Sequence, residues 1–142
     1  MTPGAPKTPV SRPSALWYVA PAVVYVAYIF VMGSLRGVET PMHVSDKTAH
    51  FVAFGLMVPL LERALHYFRP LVPRARLLVS AAALSSGAGA LLEFWQSFLP
   101  YRSADVLDWV ADTVGAVLAL ALTALAWRVV ESAGGTSAKG GT

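Results

Sequence analysis

The 142-residue sequence contains no cysteine, which excludes disulfides, thiolate metal sites and cysteine nucleophiles. It also leaves no mark of a redox compartment. Charge is scarce: Asp, Glu, Lys and Arg make up 13% of the chain, against about 25% in a typical soluble domain. The formal net charge of +3 is too small to point to a nucleic-acid partner. No HExxH or paired-histidine spacing is present, and no GxxxxGK[ST] lysine follows the Ser85–Ala90 run of small residues. No cofactor is expected, and no resident metal.

What the chain does have is apolar length. Hydrophobic residues make up 56% of it, and the mean hydropathy is +0.57. A membrane span takes roughly 20 residues, and four stretches qualify: Leu16–Leu35, about Thr48–Leu65, about Leu77–Leu99 and about Val106–Val130. The first carries no charge and is too long for the apolar core of a signal peptide. Pro21 and Pro59 are expected to kink the first two spans, as membrane helices tolerate. Residues 1–14, with four prolines, read as a disordered tail, and residues 132–142 as a flexible one. Between them, residues 15–131 form one helical domain. The fold class is all-α: an integral membrane bundle of four transmembrane helices.

The basic residues orient it. With both termini cytoplasmic, Lys7, Arg12, Arg63, Arg69, Arg74, Arg76, Arg128 and Lys139 lie inside, and only Arg36, Lys47 and Arg102 outside. That is the positive-inside bias. Trp17, Tyr67, Trp95, Tyr101, Trp109 and Trp127 fall near span ends, where aromatic rings favour the interface. His43 is expected to be solvated in an outer loop, and His66, beside Glu62, Arg63 and Tyr67, to anchor the inner interface.

This topology gathers distant residues. Span two begins outside, span three ends there and span four begins there, so Asp46, Lys47, His50, Glu93, Gln96, Arg102, Asp105, Asp108 and Asp112 collect at the outer face. At 100° per residue, Asp105, Asp108 and Asp112 share one helix face, continued by Ala111, Gly115 and Ala119. Glu93 and Gln96 share a face with Gly89, Ser86 and Ala82. Small residues let helices approach closely in lipid, so the acids are expected to point into the bundle. Asp112 lies seven residues into its span, roughly 10 Å along the axis. A carboxylate so placed needs a partner, and Arg102, Lys47 and His50 are the candidates. Five acids against two basic residues predict that at least one acid is protonated or cation-bound.

Two readings stand side by side. The cluster is a clasp that pairs helices through polar bonds, or it is a cleft for a ligand, since intramembrane ionisable residues are functional by default. Within the cleft reading, His50 and Glu93 would be the acid–base pair, with Arg102 holding a phosphate or carboxylate. The other seven would bind ligand. A divalent cation held by His50 and the carboxylates is the weaker version.

The segments Asp46-Lys47-Thr48-Ala49-His50-Phe51, Glu93-Phe94-Trp95-Gln96, Pro100-Tyr101-Arg102-Ser103-Ala104-Asp105-Val106-Leu107-Asp108 and Ala111-Asp112-Thr113-Val114-Gly115 resemble, in order and spacing, the motifs of the VanZ-like family. The resemblance spans about residues 16–125. It departs at Asp112, where the family often carries asparagine. The resemblance implies a small, multi-pass bacterial protein of the cytoplasmic membrane. The family is named for a member linked to resistance to the glycopeptide teicoplanin, so a lipid-linked or amphiphilic envelope ligand is the expected partner besides the bilayer.

Overall fold

A computed structural model describes residues 14–36 and 45–137. The expected N-terminal tail up to residue 13, the loop bearing His43 and the last residues of the chain lie outside the described residues.

Four helices form in chain order: α1 (Ala15–Ser34), α2 (Asp46–Phe68), α3 (Arg74–Gln96) and α4 (Val106–Ser137). Each is long and apolar enough to cross a membrane. The chain is therefore all-helical in its described residues and a multi-pass membrane protein. The spans match expectation to within a few residues, and α1 and α2 stay continuous through Pro21 and Pro59. One boundary differs. Helix α4 continues to Ser137, into the segment expected to be a flexible tail. Ser132 returns its hydroxyl to the Arg128 carbonyl at 2.8 Å, so its polar group follows the helix rather than ending it.

Local chemistry sets the helix ends. Ser45 caps α2, its Oγ accepting the Thr48 N–H at 3.2 Å. Asp46 stands in the first turn, where the helix dipole favours a negative charge. Pro73 precedes the first residue of α3, and Asp105 Oδ1 accepts the Leu107 N–H at 2.9 Å ahead of α4. The starts of α2 and α4 and the ends of α1 and α3 lie together. We call this the site end.

Helices α2, α3 and α4 form the core. Val58, Leu78, Ala81, Ala82 and Ala116 make one buried cluster. Phe54, Met57 and Leu92 make another, against which α1 lays Tyr25, Val26, Ile29 and Phe30. Glycine sets the α2–α4 distance: a Cβ on Gly115 would run into the Phe51 carbonyl, and one on Gly55 would lie 3.2 Å from the Gly115 oxygen. Ser85 Oγ donates to the Phe54 carbonyl at 2.7 Å, a fully buried bond from α3 to α2. The outward side chains, such as Leu84, Leu91, Val117 and Leu122, are apolar and more than half exposed. In water such a surface would aggregate; in lipid it is solvated.

Candidate functional site

The nine residues picked out by the sequence all lie at the site end; eight of them fall into three groups, and Glu93 stands apart. Lys47, Asp105 and Asp108 form the first. Lys47 Nζ donates to Asp105 Oδ2 at 2.7 Å and to Asp108 Oδ1 at 2.8 Å, tying the first turn of α2 to the start of α4. Asp105 lies just outside the membrane-spanning part of α4. The Lys47 ammonium and the Leu107 N–H hold its carboxyl below the usual carboxylate range.

The second group is deeper. A 2.9 Å hydrogen bond joins His50 Nδ1 to Asp112 Oδ1. Asp112 is fully buried, and its Oδ2 has no partner. The space it fills exists because position 89 is glycine: a Cβ there would collide with the Asp112 carboxyl group. With Asp112 as carboxylate, the imidazole carries its proton on Nδ1 and keeps a lone pair on Nε2.

The third group surrounds a cleft of about 140 Å³ between α1, α2 and α3. Asp46 and His50 face Gln96 and Arg102 across it, and Ile29, Met32, Phe54 and Leu92 complete the wall. One end of the cleft is polar and the rest apolar. His50 belongs to two groups at once, bonded to α4 behind it and lining the cleft in front.

Glu93 does not hydrogen-bond His50. Its Oε2 accepts the Asp105 N–H at 2.8 Å, which fixes the turn into α4. Its Oε1 is buried without a partner. Gln96 and Arg102 also have neighbours not foreseen in the sequence. Gln96 Nε2 donates to the Gly33 carbonyl at 3.0 Å and an Arg102 Nη to the Leu35 carbonyl at 2.9 Å. Tyr101 and Trp95 add bonds to the carbonyl and hydroxyl of Ser34. A helix C-terminus leaves four carbonyls without partners, and here the last turn of α3 and the α3–α4 connection supply donors to that of α1.

Asp46, His50 and Asp108 each offer a ligand atom, all within 4.8 Å of one another, and could hold a cation. Asp112 behind His50 would then be the carboxylate that orients a ligating imidazole. An ion there would compete with Lys47, which already occupies one Asp108 oxygen.

A family model described as VanZ/LLP1 matches residues 12–127. The chain belongs to the VanZ-like family. Among curated proteins it is similar to an uncharacterized protein of Schizosaccharomyces pombe, 35% identical over 85 residues. The match covers 60% of this chain and 50% of the yeast protein, so the VanZ-like chain spans about half of that relative's length. No solved structure matches it.

Some of what builds the site carried a signal in the sequence. Gly89 shares a helix face with Glu93, and that face was readable as a packing surface. The α1 contribution carried none, because Gly33 and Leu35 take part only through backbone carbonyls, and Ile29 and Met32 look like any lipid-facing residues. Ser86 and Thr113 were also missed as a pair. Their hydroxyls lie 2.7 Å apart, and because Thr113 gives its proton to the Trp109 carbonyl, Ser86 is the donor between them.

Proposed function

We propose that this VanZ-like protein binds an amphiphilic ligand of the bacterial cell envelope in the cleft between α1, α2 and α3. Asp46, His50, Gln96 and Arg102 would meet the headgroup, and Ile29, Met32, Phe54 and Leu92 the apolar part. One observation carries this reading: a cleft-lining histidine is fixed from behind by a fully buried acid whose second oxygen has no partner. A clasp needs the hydrogen bond. It does not need the imidazole to border an open cleft, nor an unpartnered buried oxygen, which costs about 1–3 kcal/mol.

The distribution of basic residues favours an outward cleft in a bacterial cytoplasmic membrane, with both termini inside. A protein occupying or shielding an outward-facing envelope lipid would lower sensitivity to glycopeptides of the teicoplanin type, which act outside the membrane. The mixed headgroup contacts suit a ligand that carries both an anionic and a cationic or metal-bridged group.

The His50–Asp112 pair favours a second reading. Asp112 holds one imidazole nitrogen so that the other is a base, which would suit acid–base chemistry on a lipid-linked substrate. Glu93 would serve there as the second proton carrier and Arg102 as the phosphate holder.

Native mass spectrometry of the purified protein with envelope lipid extract tests the binding. His50→Ala is expected to reduce bound ligand more than about tenfold at unchanged membrane abundance, and Arg102→Gln, at another cleft-lining position, to do the same. If both variants only lower abundance, the cluster is a clasp. Lipid profiling of a deletion strain separates binder from enzyme: an accumulating lipid-linked precursor would favour catalysis.

A further inference from the structure

The opposite end of the bundle holds a second cavity, with charged groups in a largely apolar wall. It lies where α2 ends, α3 begins and α4 runs out, about 250 Å³ in volume. A single water needs only about 10–15 Å³. Two acids, Glu62 and Glu131, and two guanidiniums, Arg74 and Arg128, line it, with Trp127 beside them.

These groups are unevenly satisfied. Glu62 is 94% buried, being 6% exposed, and its Oε1 has no hydrogen-bond partner. Arg74 Nη1 is buried and equally without a partner. Among the described residues no ion pair joins any of the four charged groups to another. Arg74 is nonetheless held in place, its guanidinium 3.8 Å over the Trp127 ring, a cation–π contact that fixes its plane. A buried acid and a half-buried guanidinium, each with an unpartnered buried atom and not paired with one another, describe a site with one missing component.

The chemistry of that component follows from the lining. A simple anion would satisfy Arg74 and face Glu62; a simple cation would satisfy Glu62 and face Arg74. A water or hydroxyl could bond to both but brings no charge to either; a zwitterion meets each group with the opposite charge. Arg74 offers a fixed planar fork suited to phosphate, and the Glu62 carboxylate accepts from N–H donors. The ammonium must therefore carry hydrogens, because a trimethylated nitrogen would leave Oε1 unpartnered. Leu78, Ala75 and Ala124 supply an apolar floor, and Trp127, Arg128 and Glu131 fall in the last turns of the α4 span, where headgroups are expected beside a membrane helix.

We propose that this cavity binds the headgroup of a phospholipid with a primary ammonium and a phosphate, that is, phosphatidylethanolamine. Arg74, helped by Arg128, takes the phosphate, and Glu62, helped by Glu131, the ammonium. The site is separate from the His50 cleft and does not depend on what that cleft binds.

Native mass spectrometry of the detergent-purified protein, titrated with phosphatidylethanolamine, phosphatidylcholine or phosphatidylglycerol, tests it. The expected result is retention of phosphatidylethanolamine roughly tenfold or more over the other two, because each charge-assisted bond left unmade is worth at least that factor. Glu62→Gln should remove the preference over phosphatidylcholine. Arg128→Gln, at a solvent-accessible position, should weaken retention and leaves the test readable if Glu62→Gln fails to fold. Equal retention of the three lipids, a preference for phosphatidylglycerol, or an unchanged preference in the folded variants would overturn the proposal. So would displacement of the lipid by free phosphoethanolamine at equal concentration, which would assign the site to a soluble zwitterion.

Discussion

Asp112 and Gly89 depend on each other. The acid has room only because position 89 lacks a side chain, and the glycine is retained at a helix-propensity cost of about 1 kcal/mol relative to alanine. Gly89→Ala should therefore destabilise by about 1–3 kcal/mol, the usual cost of overpacking, and break the His50–Asp112 bond. Gly87→Ala is the internal control: nothing lies within 4 Å of a Cβ there, so thermal unfolding in detergent should be unchanged or slightly raised. Lys47 gives a second test at this scale. Asp108 is buried and Asp105 about half exposed, and removing one partner of a buried charge is costlier than removing one at the surface. Lys47→Met should thus destabilise more than Asp105→Asn, which also keeps a helix-capping oxygen. The depressed Asp105 pKa fixes the sign with pH. Its contribution to folding is present above the ordinary carboxylate value of about 3.9 and is lost as pH falls through its lower folded value. Unfolding temperatures of wild type and Asp105→Asn should therefore run parallel from pH 7 to 5 and converge only in stronger acid.

Among the elements, α1 is held least firmly. Ala22 is its only buried residue, so the bonds from Trp95, Gln96, Tyr101 and Arg102 to its C-terminus matter more than their number suggests. Each contributes about 0.5–1.5 kcal/mol. Gln96→Leu should loosen α1 without unfolding the α2–α3–α4 core, read as faster amide exchange confined to α1. The contrast between elements also shows what the sequence could reveal. Hydropathy located all four helices, because one apolar span per crossing is what lipid demands. The α4 acidic face was legible because Asp105, Asp108 and Asp112 repeat with the helix. Which partner each acid takes was not, since Lys47, His50 and the Asp105 N–H are selected by helix crossings that Gly55, Gly89 and Gly115 set through backbone approach. The donors that seat α1 were hidden for the same reason: their acceptors are carbonyls, which every residue has.

At the scale of the molecule, the buried charged groups sit toward the two ends of the bundle. The His50–Asp112 pair occupies the site end, Glu62 and Arg74 the other. Four crossings put the start of α1 and the far end of α4 at one face, and the inner face for them is the expectation from the basic residues. A cysteine replacing Ser103 should react with an impermeant reagent from outside, and one replacing Val72 should not; the chain's lack of native cysteine makes this clean. The reverse pattern would move the cleft to the cytoplasmic side and remove the envelope ligand from its reach.

The ligand itself can be caught in place. A photo-crosslinking amino acid at position 49, which lines the cleft, should capture an amphiphile in cells, while one at Val52, a lipid-exposed position on the same helix, should capture only bulk phospholipid. Mass spectrometry of the adducts is expected to show a distinct species at position 49 that disappears in His50→Ala at equal protein abundance. Identical adducts at both positions, unaffected by His50→Ala, would contradict a binding cleft and leave the polar cluster as a clasp.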